Sequence, residues 1–305
     1  MAEMAEQILR VGVPVILGIA GAFLLDRMCA VRGFLPPGFH VLWRRLLAGA
    51  AVAGLLAVGV FAPLGNVGLS LEPDLSKITT PELFALHFLM LAALGVWFLL
   101  GYGGVRGGVD AEGVAPPRPS LSRQFAAQFG FRTPDVWREI GLGIVLGISA
   151  WMAVILALIA VAGVLLALGF KNAVPQEPPA MVPFIAGLPV VIRLLISLSA
   201  GVVEETFFRG FLQPRIGIVL STAFFALAHL SYGQPFMLVG IAMLSLIYAL
   251  LVKWRQNLWP AIAAHALFDG VQLLVIVPGV LRLMGETGAK TTALLGSLLV
   301  PGTIW

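Results

Sequence analysis

Long apolar runs separated by short polar loops dominate this chain. A run of about 20 apolar residues crosses the roughly 30 Å hydrocarbon core of a bilayer as one α-helix. No alternating strand pattern competes, and a helix satisfies its own backbone hydrogen bonds without water. The pattern predicts an all-α fold, a polytopic membrane helical bundle with about eight transmembrane helices. We place them near Ile8 to Leu25, Leu46 to Leu64, Leu83 to Gly101, Ile140 to Phe170, Leu188 to Phe208, Ile216 to Leu230, Phe236 to Val252 and Leu258 to Val277.

Composition supports a membrane protein. Of 305 residues, 59% are hydrophobic and 11% charged, and the mean hydropathy is +0.99, beyond the usual range of soluble domains. Glu3 and Glu6 precede the first run, so we expect a retained helix rather than a signal peptide. Cys29 is the single cysteine, which excludes a disulfide within the chain.

Basic residues predict the orientation of the bundle. Most of them fall in the odd-numbered loops, which the positive-inside rule assigns to the cytoplasm, with both termini outside. This distribution explains the net charge of +4 without a nucleic-acid partner. We therefore expect an integral membrane protein with the lipid bilayer as a partner and no nucleic-acid partner.

A Gly-, Pro- and Arg-rich linker, Gly103 to Pro134, divides the chain. Three helices with few polar residues precede it, and five helices with nearly all the intramembrane polar residues follow it. We expect residues 1–135 to be accessory helices plus a cytoplasmic linker, residues 136–284 to be the working core, and residues 285–305 to be a C-terminal tail.

Charged residues interrupt the fifth predicted helix in the stretch GVVEETFFRGF. A charge near the bilayer centre costs about 2.5–3.5 kcal/mol on insertion scales, so such residues usually face partners or a wet cavity. Glu205 and Arg209 are four apart and can pair on one face, whereas Glu204 points about 100° away. We therefore expect Arg209 to neutralise Glu205 and not Glu204.

Two more helices carry polar side chains at the same spacing. The sixth contains Phe225 and His229, and the eighth contains His265 and Asp269. Counted from the cytoplasmic ends, Glu204 and His265 lie about 10 Å deep, Asp269 about 16 Å and His229 about 20 Å. His229 would need a tilted helix to reach the same level. A carboxylate beside two imidazoles in a partly dehydrated cavity is suited to activating water for peptide hydrolysis.

Three motifs together resemble a known family, the CAAX protease and bacteriocin-processing family. These intramembrane glutamate proteases are related to the type 2 CAAX prenyl endopeptidase and carry the motifs EExxxR, FxxxH and HxxxN or HxxxD. This chain has the three in that order on successive core helices, as Glu204-Glu205-xxx-Arg209, Phe225-xxx-His229 and His265-xxx-Asp269. The resemblance covers about Leu188 to Val277.

The resemblance implies a role for each motif residue in an intramembrane endopeptidase. We expect such a protein in a bacterial inner (cytoplasmic) membrane, with a peptide or membrane-protein substrate as its partner. Glu204 would activate water with the assistance of His229, and no cofactor or metal would take part. His265 and Asp269 would form the oxyanion site, although the carboxylate of Asp269 does not donate as Asn would. Glu205 and Arg209 would hold the geometry, and Asp269 could also fix the tautomer of His265.

Three other interpretations remain open. Zinc would need Glu204 and His229 to converge with the ligands on the eighth helix, and the sequence has no HExxH motif. A transporter or proton relay would use the same buried Glu and His residues, and a scaffold or immunity-type protein would need no catalysis. His40 and His87 lie outside the motif set, and we assign them no role.

Overall fold

The computed structural model describes residues 7–65, 75–104, 119–173, 179–230 and 235–287. Within these ranges the chain forms helices and no strand, which confirms the predicted all-α bundle. Residues 105–118 of the Arg-rich linker and residues 288–305 of the tail lie outside the described residues. We number the helices as follows: α1 Ile8–Val31, α2 Leu42–Gly65, α3 Glu82–Tyr102, α4 Leu121–Phe129, α5 Val136–Ala167, α6 Met181–Ala186, α7 Val190–Leu212, α8 Gln213–Ala228, α9 Pro235–Arg255 and α10 Trp259–Leu283.

Six of these helices in the described part of the chain are long and apolar enough to cross a membrane, namely α1, α2, α3, α5, α9 and α10. The predicted count of eight is therefore not confirmed. The two remaining segments are helical but differ from the prediction. Helix α7 carries several charges and has two wide π-type stretches, Ala200–Glu204 and Thr206–Leu212. Helix α8 spans 16 residues and contains a break.

The break at Gly217 replaces the predicted loop after the fifth helix. Helix α7 continues directly into α8, and the chain reverses at Gly217, whose backbone angles (φ 86°, ψ 171°) are open almost only to glycine. After the reversal the Ser221 hydroxyl donates to the Phe208 carbonyl (2.7 Å). Arg209 and Arg215, which follow the last residue of the predicted fifth helix, are both helical and 1% exposed.

After this reversal helix α8 runs to Ala228, and His229 follows it directly. His229 lines the same cavity as Glu204, His265 and Asp269.

The three N-terminal helices share a hydrophobic core with α7 and α8. Along α3, Met90, Leu94 and Trp97 recur at helical spacing and are buried in the same cluster as Phe207 and Phe211. The rings of Trp97 and Phe211 meet edge to face at 5.0 Å. The stripe of phenylalanines on α7 is packing, as its burial shows, and it packs against α3.

Glycines allow α5 and α10 to approach closely. A Cβ on Gly143 would lie 2.3 Å from the Pro260 carbonyl oxygen, and one on Gly147 would lie 2.8 Å from Ala264 Cα. Small residues permit such backbone contact between membrane helices. Because Ala264 precedes His265, the packing of α5 fixes the height and rotation of the motif on α10.

Candidate active site

Four of the six predicted site residues line one cavity, where α7, α8, α9 and α10 meet. Glu204, His229, His265 and Asp269 face it together with Tyr248 of α9. Apolar side chains complete the wall: Ile196, Ala200, Phe225, Ile241, Leu244 and Phe268. About 20 Å³ is accessible to the centre of a water-sized sphere, which is enough for a water molecule. Motif residues from α7, from α10 and from the end of α8 thus converge on one cavity.

Glu204 is 1% exposed and lies in the first wide stretch of α7. Its Oε1 is 3.4 Å from Nε2 of His87, which reaches it from α3. Ser199 holds the other side of the same ring, with Oγ 3.0 Å from Nδ1 of His87. The candidate base is therefore contacted by a histidine to which the sequence analysis assigned no role.

Glu205 and Arg209 form the predicted pair, with Nη1 2.8 Å from Oε1. Both side chains are at most 1% exposed. The Glu205 Oε1 is also 2.8 Å from Nδ1 of His265, so one carboxylate oxygen contacts an arginine and an imidazole. This ion pair lies behind the cavity wall and orients the ring of His265 in front of it.

Phe225 and His229 stack with their ring centroids 4.5 Å apart. His229 follows the last residue of α8, and its Nδ1 is 2.7 Å from the Phe225 carbonyl oxygen. Since a carbonyl can only accept, Nδ1 carries the proton, and Nε2 of the neutral ring is an acceptor. The guanidinium carbon of Arg209 lies 4.3 Å from the centre of the Phe225 ring. Phe225 therefore positions both the histidine and the arginine of the motif set.

Asp269 has a weaker link to His265 than the spacing predicted. Its Oδ2 is 3.6 Å from Nε2 of the ring, beyond a normal hydrogen bond. Glu205, at 2.8 Å from Nδ1, is the carboxylate that fixes the orientation of His265. The sequence analysis expected Asp269 to fix the tautomer of His265. The distances do not support this role, because Glu205 on helix α7 is the carboxylate closer to the ring.

Tyr248 is a further cavity residue that the motifs did not reveal. Its ring stacks on His265 with centroids 5.4 Å apart and an interplanar angle of 25°. The side chain is 2% exposed, and its hydroxyl has no hydrogen-bond partner among the described residues. A buried hydroxyl without a partner costs free energy, which points to a ligand as the missing partner.

Sequence reasoning missed His87 and Tyr248 because neither belongs to a motif. The signal for His87 was its position: an ionisable residue inside an apolar membrane helix is a functional candidate wherever it lies. Tyr248 gave no comparable signal, because tyrosine is common in membrane helices near interfaces. Arg193 on α7 donates to the Leu273 carbonyl (2.8 Å).

Comparison with known proteins assigns the segment that carries these motifs. This chain is 30% identical over 79 residues, or 26% of its length, to "Uncharacterized protein YpbD" of Bacillus subtilis (strain 168). The aligned part spans 42% of that protein's length. No solved structure shows a significant match. Residues 186–271 match the family described as "Type II CAAX prenyl endopeptidase Rce1-like", and this part of the chain is therefore an Rce1-like domain, as its resemblance to the CAAX protease and bacteriocin-processing family predicted.

Proposed function

We propose that this protein is an intramembrane endopeptidase that hydrolyses a peptide bond of a membrane-associated peptide or protein by glutamate-activated water. The observation that carries the proposal is the convergence of Glu204, His229, His265 and Asp269 on one cavity with room for water. The match of residues 186–271 to an endopeptidase family supports the same reaction class.

In the proposed first step, the water oxygen attacks the carbonyl carbon of the scissile bond. A carbon–oxygen bond forms, the carbonyl electron pair moves onto oxygen, and a water proton passes to Glu204. The tetrahedral intermediate then collapses, the carbon–nitrogen bond breaks, and the leaving nitrogen takes up that proton. His229 supports this step, because Nε2 of its neutral ring can accept a hydrogen bond from the water. The products are an acid and an amine, without a covalent enzyme intermediate.

Charge that develops on the carbonyl oxygen needs donors in the cavity. His265 can supply one through Nε2 when its ring is protonated, a form that the adjacent carboxylates Glu205 and Asp269 favour. An ionised Asp269 cannot donate. Tyr248 is a neutral donor in the same cavity, and we assign its hydroxyl to the second position of the oxyanion site.

The proposal is tested with purified protein in nanodiscs and a library of quenched peptides, with and without a C-terminal prenyl group. The wild type is compared with Glu204→Gln, which keeps size and removes the base. Thermal melts of both proteins control for folding. Glu82 is exposed at the start of α3, so Glu82→Gln controls for the loss of a carboxylate outside the cavity. We expect the rate of peptide cleavage by Glu204→Gln to be at least about 100-fold lower than that of the wild type, a loss within the range of general-base catalysis.

Three results would contradict the proposal. Equal cleavage by wild type and Glu204→Gln would show that another group activates water. Loss of cleavage after treatment with a chelator, with recovery on added zinc, would favour the metal interpretation. A wild type that is inert on every peptide but moves ions in proteoliposomes in a Glu204-dependent manner would favour transport.

A further inference from the structure

His87 links the N-terminal helices to the candidate base. It lies on α3, about one hundred residues before the domain that the family match covers, and is 4% exposed. Its two ring nitrogens contact two residues of α7, with Nδ1 3.0 Å from Ser199 Oγ and Nε2 3.4 Å from Glu204 Oε1. The ring thus spans the first wide stretch of α7 and contacts both sides of it.

The hydrogen-bond donors and acceptors that run from Ser199 through His87 to Glu204 indicate where the protons lie. The Ser199 hydroxyl donates its one proton to the Ile196 carbonyl (3.0 Å). Its oxygen therefore accepts from Nδ1–H of His87. A neutral ring would then present a lone pair at Nε2 to an ionised carboxylate, and two acceptors repel. One proton must lie between Nε2 and Oε1, either on the imidazole or on Glu204.

Packing holds His87 in this place. The residues that follow it on the same face of α3 at helical spacing, Met90, Leu94 and Trp97, are buried against the aromatic side chains of α7. Helix α3 also contacts the stretch Ala200–Glu204 directly. The side chains of His87 and Glu204 are both buried. Water therefore does not take the place of His87 beside Glu204.

We propose that His87 is a positioning residue for Glu204. It holds Oε1 through the shared proton, so that Glu204 receives the water proton on its other oxygen, Oε2. This proposal rests on the proposed function. It gives the N-terminal helices a defined part in the site: the Rce1-like segment alone lacks the residue that prepares its base.

Two amide variants separate the contacts of His87. In His87→Gln the amide nitrogen can take the place of Nε2 and donate to Glu204. In His87→Asn the shorter amide can take the place of Nδ1 and reach Ser199 alone. His87→Ala removes both contacts. His40→Ala, on an exposed turn, is the matched histidine control and should leave cleavage and melting unchanged.

We expect His87→Ala and His87→Asn to lower kcat about 10- to 100-fold, the effect of losing a hydrogen bond to a charged group. KM should stay within about twofold, since His87 does not line the cavity. His87→Gln should recover part of the lost kcat. Equal kcat in all four His87 proteins would overturn the proposal. The proposal would also be overturned if all three variants lost the same fraction of kcat and this loss followed their loss of melting temperature. A purely structural role of His87 would give that result.

A second measurement keeps this inference separate from the protease proposal. Melting of the wild type, His87→Ala, Glu204→Ala and the double variant gives a thermodynamic cycle that does not need activity. Non-additive effects would support the His87–Glu204 contact even in a protein that cleaves no peptide, in which case only the proposed function fails. Additive effects would overturn the contact, and with it the inference, whatever the cleavage assay shows.

Discussion

The pair of Glu205 and Arg209 allows a quantitative test of the site's architecture through the variant Arg209→Met. Methionine keeps much of the side-chain volume and removes the charge, so that Glu205 loses its 2.8 Å ion pair at 0% side-chain exposure. Breaking a buried pair by removing one partner typically costs about 3–5 kcal/mol. His265 remains beside Glu205 and can carry a compensating proton. We therefore expect a loss near the lower end, about 3 kcal/mol.

Thermal unfolding in nanodiscs, followed by tryptophan fluorescence, measures this loss. At about 2–4 °C per kcal/mol, the melting temperature should fall by roughly 6–12 °C. Arg45→Met is the matched control, because Arg45 and its partner Asp26 have side chains 33% and 28% exposed. This pair is only partly buried, and pairs that water still reaches contribute about 0–1 kcal/mol. The melting temperature of this control should therefore fall less than that of Arg209→Met.

The double variant Glu205→Gln with Arg209→Met distinguishes the free-energy cost of an unpaired buried charge from the cost of altered side-chain packing. It removes both charges together, and buried pairs replaced in this way often lose little stability. We expect it to melt above Arg209→Met alone. The reasoning is refuted if Arg209→Met melts like Arg45→Met. It is also refuted if the melting temperature of the double variant falls by the sum of the decreases measured for Glu205→Gln and Arg209→Met singly.

Three further predictions concern Tyr248 of the cavity and the glycines Gly147 and Gly217. Tyr248→Phe should lower kcat by roughly 100-fold as an oxyanion donor is lost, yet raise the melting temperature, because it removes a buried hydroxyl without a partner. Tyr102→Phe should instead lower the melting temperature and keep activity, because its hydroxyl donates to a glutamine outside the cavity (2.6 Å). Gly147→Ala should destabilise by about 1–3 kcal/mol through overpacking and reduce cleavage, whereas Gly141→Ala on the same helix, with nothing within 4 Å, should be neutral or stabilising. Gly217→Ala should cost about 1–3 kcal/mol through backbone strain alone, since it too has nothing within 4 Å; melting no lower than Gly141→Ala would contradict this.

The sequence by itself determined the class of fold and the members of the motif set. Apolar runs of this length have few alternatives to membrane helices, because only helices and closed barrels satisfy the backbone within lipid. The four-residue spacings predicted which side chains share a helix face, and the Glu205–Arg209 pair confirms one of them. Local periodicity was sufficient there, because both partners lie on one helix.

The tertiary structure decided everything that depends on contacts between distant segments. Periodicity along one helix carries no information about which neighbour faces it, so His87 and Tyr248 were missed although they are 117 and 44 positions from Glu204. For the same reason, Glu205 rather than Asp269 orients His265. The reversal at Gly217 could not be predicted either, because one glycine with a positive φ can replace a loop only where the helices on both sides already pack together.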